Sequence, residues 1–172
     1  MTQAFCNSGS LFYNHKKTFS VILLALADAN YKFLYVDIGS PGMNNDAGVM
    51  LNSSLKNAMT SDTLSMPKSS LRGVDYHILG DDAFGHTKRL VKPYPNRGLT
   101  PSQRIFNLRF SHGRRVVENA FGIMSGKFRI LRSPILQKYE NACATIKAVC
   151  VLHNFYSLIK ILLLSVILCI SG

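Results

Sequence analysis

The sequence predicts an α/β fold in the order hairpin, short helix, buried strand and long helices. Three observations predict it. The hydrophobic fraction is 47% of 172 residues, enough to bury the core of one domain, or of one domain with a tail. Apolar residues come as β-branched runs early in the chain and at helical spacing later. Turn and cap residues stand at the joints between these stretches.

Residues 18–27, TFSVILLALA, form a continuous apolar run, and DAN follows as a turn signal. Residues 31–38, YKFLYVDI, alternate loosely. This predicts a β-hairpin with strands at 18–27 and 31–38. GSPGMNN then breaks the pattern. Asn44 or Asn45 can cap a helix from Asp46 to Lys56, with Ala47, Met50, Leu51 and Leu55 on one face. Residues 57–72 are polar and irregular. Tyr76 to Leu79 predicts a buried strand that ends at Gly80-Asp81. After a proline-rich loop, Thr100-Pro101-Ser102-Gln103 matches a capping box. It opens a long helix over 101–126 whose apolar stripe includes Val117, Phe121 and Met124. Gly113 weakens that helix without breaking it. A second helix is predicted over 141–156, and the tail then ends in ILLLSVILCISG, twelve residues without a charge.

Twenty Lys+Arg against nine Asp+Glu give a formal net charge of +11. Such a surplus points to a polyanionic partner, nucleic acid first and an acidic membrane surface second. A merely basic soluble protein is the alternative. Cys6, Cys143, Cys150 and Cys169 show no CxxC spacing. They predict neither a zinc site nor a disulfide framework, and they suit a reducing compartment. The start, MTQAFCNSGS, lacks the pattern of a signal peptide. The tail reaches the roughly 20 apolar residues of a membrane span only if Lys160 is included.

Only two glutamates occur, Glu118 and Glu140. Glu118 stands in GRRVVENAFGIMSGKFRIL (113–131), behind Arg114 and Arg115. Together with Asp46 and Asp81 it stands out by context. Phosphodiester hydrolysis with divalent metals uses clustered carboxylates that hold the ions and activate water. Magnesium suits such sites because it prefers oxygen ligands. A strand-end aspartate and a helical glutamate can supply them. From Arg97 to Arg132, both included, there are eight Lys or Arg and one acid, Glu118. Arg104, Arg109, Arg114, Arg115, Lys127 and Arg129 are the candidate contacts to a nucleic-acid backbone. Blander readings stand beside these. Glu118 can pair with Arg114 or Arg115 on a solvated helix face. Asp81 can be a turn residue or a cap. Asp46 can be an N-cap or a first-turn acid.

These residues carry a resemblance. FNLRFSHGRRVVENAFGIMSGKFRIL (106–131) resembles the segment with the catalytic glutamate in DDE superfamily endonucleases, chiefly the harbinger transposases and their domesticated nuclease relatives. Asn107, Arg114, Arg115, Val116, Val117, Glu118, Phe121, Gly122, Phe128, Arg129 and Leu131 match. HILGDDAFG (77–85) resembles the strand with the second catalytic aspartate, which places that role on Asp81. YVDIGSPGMNNDAGVMLNSSL (35–55) resembles the G-x-P-G-x-x-x-D segment, whose aspartate falls on Asp46. Residues 7–33 resemble the two preceding strands, and AVCVLHNF (148–155) the end of the domain. The resemblance covers 7–156 and leaves 157–172 as an apolar tail.

The resemblance implies a ribonuclease-H-like fold, DNA as partner and substrate, and a divalent cation, magnesium or manganese, as cofactor. Asp81 and Glu118 would be catalytic and metal-binding, with Asp46 a further metal candidate. A nuclear location follows, with a tail-anchored membrane location as the alternative. The family's first catalytic aspartate lies in a D-G segment upstream of the part matching Asn7, and MTQAFCNSGS contains no acid. The expectation is therefore a partial ribonuclease-H-like fold lacking the first central strand, and a weak or inactive nuclease. A non-catalytic DNA- or protein-binding module that keeps the basic helix is the alternative. No separate helix-turn-helix is evident, so a protein partner could supply DNA specificity. The tail is expected as a helix, with a strand filling the vacant place as its alternative.

Overall fold

The computed structural model describes Thr2, Phe5, residues 8–64, Met66, residues 75–85 and residues 87–170, with side chains as far as Ile159. Its architecture is mixed α/β with small sheets and several helices. The hairpin forms from β1 (Val21–Ala27) and β2 (Phe33–Pro41), paired antiparallel. Its turn uses the predicted DAN signal. Asp28 Oδ1 accepts the N–H groups of Asn30 at 2.8 Å and Lys32 at 2.9 Å. β1 starts later than expected because residues 18–20 are drawn into a turn on Asn14. The Asn14 N–H donates to the Thr18 carbonyl at 2.9 Å, and its Nδ2 to Ser20 Oγ at 2.8 Å. β2 runs past residue 38 through a bulge. Ile22 faces Ser40 and Leu23 faces Ile38, so Gly39 is the extra residue. Its φ of 128° lies in backbone space that is essentially glycine's alone.

The helix predicted over 46–56 is two helices, α1 (Asp46–Leu51) and α2 (Ser54–Thr60). The break follows from Asn52-Ser53, since short polar side chains divert the backbone into caps. Ser53 is fully buried, donates to the Met50 carbonyl at 2.7 Å and accepts the Lys56 N–H at 3.1 Å. The irregular 57–72 stretch is thus helical to Thr60, and part of it lies outside the described residues. The predicted strand is β3 (Ile78–Leu79). It pairs in parallel with β4 (Leu90–Val91), which the sequence does not announce. Two residues carry no measurable period.

The capping box forms as read: Gln103 N–H donates to Thr100 Oγ1 at 3.3 Å, and Thr100 N–H to Gln103 Oε1 at 2.9 Å. It opens α3 (Pro101–Lys127), which a short 3-10 turn at Arg129–Leu131 follows. α4 runs over Tyr139–Ile170, well beyond residue 156. No glycine or proline interrupts that stretch. The tail is therefore helical to Ile170, and the strand alternative for it is corrected.

The chain divides into two units, Met1–Asn44 with Val116–Gly172, and Asn45–Arg115. The first packs its hairpin, the end of α3 and α4 around Phe33, Ala120, Met124, Ala142 and Val149. Beside them the rings of Phe5, Phe12 and Tyr139 meet with centroids 4.8–5.5 Å apart. The second buries Val49, Met50, Leu55, Met59, Ile78, Leu90 and Phe110. In the first unit, burial raises the Cys143 and Cys150 thiols and the Tyr139 phenol above their ordinary values. The neutral forms of all three favour folding. That stabilisation is complete below the ordinary thiol value of 9.0 and is lost as pH rises through the folded values. Scanning calorimetry is expected to show the melting temperature falling as pH rises above about 9. A flat profile above that pH would contradict the assignment.

Candidate active site

Asp81 stands just after β3. Gly80 sets its position, because a Cβ there would press on Leu90 Cδ2 at 2.7 Å. Leu90 is 2% exposed, so the backbone at Gly80 lies directly against the core of this unit. Two hydrogen bonds reach Asp81 Oδ1, from the Asp82 N–H at 2.6 Å and from Arg114 Nη1 at 2.9 Å. The side chains of Arg114 and Asp81 are 30% and 45% exposed, so this ion pair is half open to solvent. The adjacent Asp82 lies 3.9 Å from Lys92 Nζ.

Gly113 explains how Arg114 reaches Asp81. A Cβ at Gly113 would run into Leu79 Cδ1. Glycine therefore lets α3 lie close to β3, and the next residue meets the aspartate. Sequence reasoning treated Gly113 only as a weak point of the helix. Asn107 has a comparable unrecognised role. Its Oδ1 accepts the Tyr94 N–H and its Nδ2 donates to the Tyr94 carbonyl, both at 2.9 Å. The side-chain amide thus pairs with a backbone residue as a strand would, and pins the proline-rich loop to α3. A conformationally fixed loop before a helix was signalled by its prolines, but not by the asparagine.

Glu118 is an exposed residue of α3, four positions after Arg114, and belongs to the first unit. Asp46 and Asp81 belong to the second. Asp46 is exposed in the first turn of α1. The cap itself is Asn45, whose Oδ1 accepts the Gly48 N–H at 2.6 Å. Asp46 thus takes the first-turn position that the helix dipole favours. Among the described residues no three His, Cys, Asp or Glu side chains gather as metal ligands. Asp81 and Glu118 are hard oxygen donors of the type magnesium or manganese takes. In chemical type they fit a divalent cation, but the structure joins Asp81 to a guanidinium.

The cations are distributed along α3 and just beyond it. Arg104, Arg109, Arg115 and Arg129 are exposed. Arg109 lines an open groove of about 380 Å³ with Leu79, Ser102, Ile105, Phe106 and Phe110. Lys127 is engaged within the first unit. Its Nζ donates to the Tyr156 hydroxyl and lies 3.9 Å from that ring's centroid. A cation held over an aromatic ring is partly committed already.

A family model described as DDE superfamily endonuclease matches residues 2–154. Two curated relatives are similar over 152 residues each, at 28% identity. One is Protein ALP1-like of Arabidopsis thaliana, with 86% of this chain and 37% of the relative covered. The other is Putative nuclease HARBI1 of Homo sapiens, with 86% of this chain and 41% of the relative covered. The chain thus spans about two fifths of the length of these relatives. No solved structure matches significantly.

Proposed function

The chain belongs to the DDE superfamily endonucleases, and we propose that it is a transposase-derived, divalent-metal-dependent endonuclease-like domain acting on DNA phosphodiesters. The observation that carries this reading is the family match across residues 2–154, which runs through Asp81 and Glu118. In this reading the architecture is a partial ribonuclease-H-like fold, and the domain works in the nucleus. Asp81 and Glu118 hold magnesium or manganese, with Asp46 as a further ligand. The cation, when bound, polarises the phosphodiester and lowers the pKa of attacking water. Arg104, Arg109, Arg114, Arg115 and Arg129 hold the backbone through charge. Lys127 joins them on leaving Tyr156. A protein partner supplies the choice of DNA sequence.

Activity of this span by itself is expected to be weak. Within residues 1–172 the first acid is Asp28, in the turn of the hairpin, so this span by itself brings few carboxylates to a two-ion site. The ion pair between Asp81 and Arg114 favours a second reading, a DNA- or protein-binding module without chemistry. Nicking of supercoiled plasmid separates the two. With magnesium or manganese the full chain is expected to nick slowly, and Asp81→Ala and Glu118→Gln are each expected to abolish the cutting while retaining salt-sensitive DNA binding. Cutting that persists undiminished in both variants would remove the nuclease assignment from these acids. Binding with no cutting by the unaltered chain would select the second reading.

A further inference from the structure

The acid that the proposed chemistry most needs already holds a cation from its own chain. Arg114 Nη1 and Asp81 Oδ1 lie 2.9 Å apart, although 33 positions separate them in sequence. The contact is built in, since Gly113 brings α3 against Leu79. It is also openable, because both side chains are partly exposed and such pairs are readily exchanged. A guanidinium and a divalent cation cannot share one carboxylate oxygen without repelling each other. We propose that Arg114 is a built-in counter-ion that competes with divalent metal for Asp81, and that the phosphate backbone of DNA, by drawing Arg114 away, couples DNA binding to metal loading.

This rests on the reading of Asp81 as a metal ligand. Arg114 is then a positioning residue, acting on the reaction through Asp81. The coupling is reciprocal by thermodynamic necessity: DNA that engages Arg114 tightens metal binding, and metal that displaces Arg114 tightens DNA binding. A domain built this way holds little metal until DNA is present, which limits unguided cutting.

Manganese titration followed by the paramagnetic resonance signal of the free ion tests the first half. Arg114→Gln is expected to bind manganese about 5- to 10-fold more tightly than the unaltered chain, within the usual range of coupling between sites. Arg114→Lys, which keeps the charge, stays near the unaltered affinity. Lys92→Gln removes a nearby cation that pairs with Asp82 and is expected to change the affinity less than about twofold. Equal tightening in Lys92→Gln and Arg114→Gln would show a general field effect and overturn the proposal. Fluorescence anisotropy of a labelled DNA duplex at constant ionic strength tests the second half. Manganese should strengthen binding by the unaltered chain, and this gain should vanish in Arg114→Gln. Unchanged manganese affinity in Arg114→Gln, with Asp81→Asn still abolishing binding, overturns the counter-ion role alone. Manganese binding untouched by Asp81→Asn overturns the metal-ligand reading and this inference with it.

Discussion

Phe33→Ala is expected to destabilise the protein by about 3–5 kcal/mol, the usual cost of emptying a buried phenylalanine site. Phe33 is 6% exposed. Its ring lies 5.3 Å from that of Phe121 on α3 and 5.0 Å from that of His153 on α4, centroid to centroid. Its backbone is also clasped. Asn154 Oδ1 accepts the Phe33 N–H and Asn154 Nδ2 donates to the Phe33 carbonyl, both at 2.8 Å. Two residues earlier, in the hairpin turn, His153 Nε2 meets the Tyr31 carbonyl at 2.7 Å. The start of β2 cannot slide inward to fill the space, because α4 fixes it at three polar contacts. A cavity should therefore persist rather than collapse. For a chain of this size the loss corresponds to a drop in melting temperature of roughly 6–20 °C. The neighbouring Leu34 is 64% exposed, so Leu34→Ala should shift stability by no more than about 0.5 kcal/mol. Chemical denaturation of the two variants side by side gives the answer. A cost below about 1 kcal/mol for Phe33→Ala would mean that the hairpin does not pack on α4 as described.

The second large effect is expected at Gly39. An alanine there must hold a φ of 128°, which costs on the order of 1–3 kcal/mol for a residue with a side chain. Its Cβ would also come to 2.7 Å from the Tyr139 hydroxyl, the group that donates to the Gly39 carbonyl at 2.8 Å. Strain and a displaced hydrogen bond therefore act together. Gly9 is the milder comparison: its φ of 52° is close to those of Lys17, Tyr31 and Asp62, and a Cβ there meets nothing within 4 Å. Gly39→Ala should cost more than Gly9→Ala. Adding Tyr139→Phe to Gly39→Ala should cost less than the sum of the single changes, because the clash and the lost bond involve the same hydroxyl. Strict additivity would separate the bulge from Tyr139.

Local signals explain which elements were legible. The Asp28 turn, the Thr100–Gln103 box and the cap at Asn44 or Asn45 each act within a few positions, so their residue types announce them; the structure selects Asn45. The same holds for the absence of breakers that carries α4 to Ile170. Where the reading failed, the cause was also specific. The helix over 46–56 missed the cap formed by Ser53, because a serine within an apolar spacing reads equally as a surface residue. β4 is too short to have a period. The placing of two acids was legible: Asp81 was expected at the end of an apolar strand and stands just after β3, and Glu118 was expected on the long helix and lies on α3.

Their surroundings were not legible. The pairing of Arg114 with Asp81 spans 33 positions, and the clasp of Asn154 on Phe33 spans 121. Nothing in the spacing of these residues identifies the partner. The pattern of apolar residues, caps and turns along the chain decided its elements and their order, because those preferences are set by nearest neighbours. Tertiary packing decided that a glycine on α3 would be a contact point, that two asparagines would act as strand partners, and that Asp81 would meet a guanidinium. Polar groups distant in sequence pair only where the folded backbone brings them within about 3 Å, and that meeting is a property of the closed chain.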